Sequence, residues 1–250
     1  MKSLKWVNAF TFAAMVIVNA LAEIIPIGGS TTGEISDAYP TLFTPAPLAF
    51  SIWGLIYALM LLFVLCQWSR EGEHAVQEIG PWFAVSCLMN TAWIFAWHFD
   101  AIVLSLVYML GLLLALIAIE RSIPAVGGGW LYRLGAEAGF SIYLGWIIAA
   151  TIANVSVVLV KLGWNGFGRS EQFWTVAVLI FGALLTLITV IRSGRWLTGA
   201  AVLWVYGGIL LRHVGRSFFA GEYPVIIGTV LICMVCLAGT VLIVLFSERP

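Results

Sequence analysis

Apolar residues gather into eight runs of about membrane-spanning length, over 4–25, 47–67, 81–97, 101–120, 136–160, 173–191, 197–211 and 224–246. A hydrocarbon core of about 30 Å needs about 20 residues of helix, so the third and seventh runs are short and must borrow flanking residues. Lipid cannot satisfy open backbone groups, and the runs lack the two-residue alternation of a barrel, so each run is expected to be a helix. Pro47, Pro81 and Pro224 stand at predicted helix starts, where a missing N–H costs least. The expectation is an all-α polytopic membrane protein.

Composition strengthens this picture. Hydrophobic residues make up 62% of the 250 positions and charged residues 10%, against about 25% charged in a soluble domain. The formal net charge is zero and the basic residues are scattered, which excludes the footprint of a nucleic-acid binder. The cysteines, Cys66, Cys87, Cys233 and Cys236, all lie in apolar runs and read as buried thiols. Lys2 and Lys5 before an apolar run, with Ala20-Leu21-Ala22 behind, resemble a signal peptide, but Trp6, Asn8 and Asn19 favour a retained first helix.

Charge also suggests orientation. With eight spans, Lys2, Lys5, Arg70, Arg121, Arg133, Arg192, Arg195 and Arg249 fall on one side, and Lys161, Arg169, Arg212 and Arg216 on the other. The positive-inside rule then places both termini in the cytoplasm, with a bacterial plasma membrane as the expected location. The loop 26–46 faces outward, carries Glu34 and Asp37 without Lys or Arg, and is long enough to serve as a lid. No internal repeat is evident. Eight of the twelve tryptophans lie in the first 160 residues, which suggests a five-helix unit over 1–160 and three further helices over 161–250.

Three helices collect candidate chemistry on single faces, as a spacing of three or four requires. Span two offers Pro47, Phe50, Trp53 and Tyr57; span three offers Ser86, Asn90, Trp93 and Trp97; span five offers Tyr143, Trp146, Ala150 and Asn154. Helix packing and interfacial belts are the ordinary use of such residues, and Trp97 and Tyr143 read as belt positions. Asn90, Trp93, Trp146 and Asn154 lie deeper, where an amide needs an interior partner. Ser141, Gly145, Ala149 and Ala153 form a stripe of small residues along span five that admits a close neighbour and makes this helix central.

Ionisable groups are expected near helix ends, at Glu23, Asp100, Glu120, Glu137, Arg212 and His213. Ion-coupled pumps place such groups within the membrane, so a neutral site of indole, phenol and amide suits a flat apolar ligand better. Cys233 and Cys236 form a CxxC without flanking charge to activate a thiol. His74, His98 and His213 are isolated, without metal-ligand spacing, and read as structural or interfacial. Arg212 and Arg216 read as side chains snorkelling to the headgroups.

The segment Phe43-Thr44-Pro45-Ala46-Pro47-Leu48-Ala49-Phe50-Ser51-Ile52-Trp53-Gly54-Leu55-Ile56-Tyr57-Ala58-Leu59-Met60 resembles the signature of the tryptophan-rich sensory protein / translocator protein family (TspO/MBR). Asn90-x-x-Trp93 is similar to that family's N-x-x-W, and Tyr143, Trp146, Ala150 and Asn154 keep the spacing of its fifth-helix motif. Ala46, Ser51 and Ile142 stand where the family has prolines, and the last three spans have no counterpart in its five-helix members.

The resemblance implies a five-helix bundle over 1–160 that binds a tetrapyrrole, sterol or lipid-like ligand beneath the first loop. Its implied pocket consists of Phe43, Phe50, Trp53, Tyr57, Asn90, Trp93, Tyr143, Trp146, Ala150 and Asn154. The implied role is that of a receptor or translocator, with oxidative degradation of the ligand or secondary transport as alternatives. Catalysis is not the favoured reading. No cofactor or metal is expected beyond a tetrapyrrole as ligand. The expected partners are the bilayer and a hydrophobic small molecule, with a homodimer as a further assembly.

Overall fold

The long apolar runs become helices because only a helix pairs every backbone group within its own segment. The structure is a computed structural model that describes residues 2–123 and 129–247. Arg249, counted above in the charge balance, lies outside the described residues. Among those residues the chain is helical with no strand.

The helices, in order, are α1 (Lys2–Ile24), α2 (Thr32–Ala38), α3 (Ile52–Cys66), α4 (Arg70–Ile79), α5 (Trp82–His98), α6 (Ile102–Ser122), α7 (Trp130–Tyr132), α8 (Gly139–Lys161), α9 (Glu171–Ser193), α10 (Trp196–Val214) and α11 (Pro224–Ser247). A 3₁₀ turn (Pro47–Ser51) leads into α3, with Pro47 in its first turn. A π-helical turn (Arg133–Ala138) joins α7 to α8.

Seven of these segments are long and apolar enough to span a membrane singly. The third predicted span differs. Its helix α5 has 17 residues, and α4 meets it at a bend of 69°; taken together as one bent segment, the pair would bring the count to eight. The break has a local cause. Ser69 caps α4 by accepting from Gly72 N–H, Gly80 ends it with φ of +59°, and Pro81 then begins α5. Helix α4 is polar on one face, and Glu73 pairs with Lys5 of α1 at 3.2 Å.

Helix α8 is central, as the small-residue stripe suggests. It packs against α3, α6, α9 and α10. At Gly145 the partner is α10: a Cβ added there would lie 2.4 Å from Thr198 O. Ser141, one turn earlier, instead hydrogen-bonds Glu120 of α6 at 3.1 Å. Glu120 lies in the last turn of α6, near a helix end as expected, and is buried and paired with Arg195 at 3.1 Å. Trp97 and Tyr143 are not belt residues. Both are buried, because their helices turn those positions inward toward the bundle. Cys233 is buried while Cys236 is exposed on α11, and both are free thiols.

Candidate functional site

The aromatic stripes of α3, α5 and α8 meet in one cluster at the end of the bundle that carries the 26–46 loop. Trp53 is its hub. Its ring lies 5.4 Å from Tyr57, 6.4 Å from Trp93, and 5.8 Å from each of Tyr143 and Trp146. Phe50 abuts Trp146 edge-on at 5.8 Å, and Trp97 stacks on Trp93 at 5.6 Å. Each such pair contributes about 0.5–1.5 kcal/mol beyond the area it buries, so the cluster is stiff.

Within the cluster is an inner cavity of about 50 Å³, room for no more than a few water molecules. Phe43, Phe50, Trp53, Trp93, Trp146, Ala150 and Asn154 all line it, together with Ala149 and Ala153 from the small-residue stripe. The cavity exists because alanines stand on α8 where larger side chains would fill the space.

A second space, a cleft of about 510 Å³, lies between α1 and α3 under the start of the loop. Tyr57 belongs to this cleft, which shares Thr32, Phe50 and Trp53 with the inner cavity. Those side chains are the partition between the two.

The amides serve the protein. Asn90 accepts from Asn19 Nδ2 at 2.8 Å and donates to Tyr143 Oη at 3.0 Å. Asn154 accepts from Trp93 Nε1 at 3.2 Å and donates to Ser105 Oγ at 3.0 Å. Asn90 and Tyr143 therefore stand behind the aromatic wall, where they fix its geometry. Trp146 differs. Its side chain lines the cavity and is 4% exposed, yet its Nε1 has no hydrogen-bond partner among the described residues. A buried donor left unpaired costs about 1–3 kcal/mol, which a ligand acceptor would recover.

The loop over the site is ordered by its own chemistry and by distant helices. Thr31 and Glu34 form a capping box that starts α2. Trp97 Nε1 donates to Thr32 O at 3.2 Å, which ties α2 to the aromatic wall. Tyr39 donates to Asp100, and Lys161 pairs with the same carboxylate. The Lys161 ammonium and then the Tyr39 phenol hold the Asp100 carboxyl below its ordinary range.

The final helices grip the rest of the loop. Arg212 pairs with Asp37 at 2.8 Å, and Glu171 accepts from Leu42 N–H at 2.8 Å. His213 Nε2 lies 2.9 Å from Leu42 O; that carbonyl can only accept, so Nε2 carries the proton. Ala46 N–H donates to Gly208 O at 3.0 Å, and Trp204 Nε1 donates to Ala49 O at 2.9 Å. Gly208 permits this approach, since an added Cβ would lie 2.8 Å from Ala49 Cβ.

Arg212 is thus not a snorkelling group, and His213 is structural. They bind the loop because α10 ends directly behind it. The hydropathy pattern carries no sign of this contact, although Gly207-Gly208 inside a span marks a close backbone approach. Arg212→Gln removes the ion pair to Asp37 and should raise amide exchange over residues 37–46 by about tenfold or more. Unchanged protection would show that the pair does not hold the loop.

A family model described as TSPO-like protein matches residues 5–243, from α1 into α11. No curated protein and no solved structure matches the chain.

Proposed function

The chain belongs to the TSPO-like protein family, and from that premise we propose an integral membrane receptor or translocator that binds a planar hydrophobic ligand in the aromatic site. The observation that carries this reading is the buried, unpartnered Nε1 of Trp146 beside a cavity walled mainly by aromatic rings and aliphatic groups. Such a site favours a flat apolar body bearing an acceptor, as in a tetrapyrrole, a sterol or a lipid-like molecule.

Size decides where the body rests. The inner cavity, at about 50 Å³, is far smaller than any of these molecules. The adjoining cleft of about 510 Å³ lies within the range of small-molecule sites. The ligand body therefore lies in the cleft against Phe50, Trp53 and Tyr57. Its acceptor reaches Trp146 when Phe50 or Trp53 rotates aside.

Both arrangements use the 26–46 loop as cover. A porphyrin titrated into the purified protein should quench tryptophan fluorescence saturably. Trp146→Leu combined with Asn154→Ala should weaken that binding by about tenfold or more, because the variant loses the donor and loosens Trp93. An isotherm identical to that of the wild type would overturn the site.

A further inference from the structure

A third space lies at the same end of the bundle, on the opposite side of Phe43. It is a cleft of about 400 Å³ between the end of α8, the loop after it and the start of α9. Phe43 lines both this cleft and the inner cavity. The position is built on purpose by its loop. Gly163, Gly166 and Gly168 take positive φ, Asn165 caps the turn, and Trp174 Nε1 donates to Gly166 O at 2.8 Å.

That hydrogen bond occupies the polar edge of Trp174, so the indole offers the cleft its apolar surface. Trp164 stands beside it, with ring centroids 4.9 Å apart. Leu159, Val160 and Val178 continue the apolar wall.

The polar residues of the lining are not equivalent. Glu171 is committed to the Leu42 N–H at 2.8 Å. Arg169 is exposed, rests on the ring of Phe173 at 5.6 Å, and has no carboxylate within ion-pair distance among the described residues. A partly buried aromatic and aliphatic wall therefore meets a guanidinium that has no carboxylate partner among the described residues.

We propose that this cleft is a second binding site, for an amphipathic anion whose chain or ring lies on Trp164 and Trp174 while its carboxylate or phosphate pairs with Arg169. A guanidinium recognises either head by charge-assisted hydrogen bonds, and both heads are found at a membrane surface. The site is distinct from the Trp146 cavity and stands whether or not that cavity binds a ligand.

The test uses the full chain in detergent with cis-parinaric acid as a fluorescent carboxylate probe and its methyl ester as the uncharged control. The wild type should bind the acid more tightly than the ester. Arg169→Gln should weaken the acid by about tenfold and leave the ester unchanged. Val178→Trp, which fills the cleft while leaving Arg169 in place, should abolish saturable binding of both.

Competition identifies the source of the head group. Displacement of the probe by lysophosphatidic acid but not by stearate assigns a phosphate-headed lipid, and the reverse assigns a fatty carboxylate. Equal wild-type affinity for acid and ester overturns the proposal. So does an unchanged affinity for the acid in either variant.

Discussion

Gly145→Leu is expected to cause a large loss of stability, because it forces apart two helices whose backbones touch. Even the first added carbon would lie 2.4 Å from Thr198 O and 2.8 Å from Ala201 Cβ on α10. The nearer atom belongs to backbone and has no rotamer by which to move. Overpacking of a tight core costs about 1–3 kcal/mol and more where backbone must shift, so Gly145→Ala already falls in that range. The leucine variant should yield little folded protein.

Gly239→Ala is the control, since an added Cβ there meets nothing within 4 Å. Alanine in place of a helical glycine with room for its Cβ contributes about 1 kcal/mol of stability. Thermal melts followed by size exclusion should therefore move in opposite directions for Gly145→Ala and Gly239→Ala. Equal shifts would refute the close packing of α8 on α10.

The second large effect concerns Glu120. Its side chain is 7% exposed and its partner Arg195 is 19% exposed. Arg195 also donates to Ile123 O at 3.1 Å, and Ser141 Oγ donates to the carboxylate. Glu120→Leu would leave a partly buried guanidinium with the Ile123 carbonyl but without its carboxylate. Breaking a buried pair from one side costs about 3–5 kcal/mol, whereas replacing both partners by apolar groups is often close to neutral. The double variant Glu120→Leu/Arg195→Met should consequently melt well above the single one. Additive losses in the two single variants and the double would show that the charges do not act as a pair.

Glu120 and Gly145 also mark the boundary of what local pattern can tell. All eight apolar runs are helices, and most limits agree within a few residues: 4–25 became Lys2–Ile24, and 224–246 became Pro224–Ser247. Transfer free energy is a local sum over a window, so length and composition suffice to find a span. The bend between α4 and α5 escaped that sum because α4 is polar and carries no hydropathic signal. Its cues were local chemistry instead, a Ser69 cap and Gly80-Pro81. The π-helical turn before α8 has no comparable cue. It is the segment where Gly135 lets the chain approach the backbone of Phe63, with an added Cβ 2.5 Å from Phe63 N.

The candidate site divides in the same way. Stripe periodicity brings Phe50, Trp53, Trp93, Trp146, Ala150 and Asn154 to one place, since each lies on an inward helical face. It cannot tell a wall from its support. Asn90 and Tyr143 share the stripe but are spent on each other and on Asn19. Trp97, which resembles a belt residue until α2 is placed over it, lines the cavity and donates its Nε1–H to Thr32 O.

The chain by itself determined that it spans a membrane, where its helices run, and which helix faces carry rings. Those properties follow from period and apolar content, which each segment holds alone. Only the tertiary structure decided that the indole Nε1 of Trp146 in the aromatic cluster is buried without a partner among the described residues. It also decided that α10 grips the loop through Arg212 and His213, and that Glu120 finds Arg195 from 75 positions away in the chain (195 − 120). Hydrogen bonds and close backbone approaches depend on which helices become neighbours, and adjacency in space is not written in any single segment.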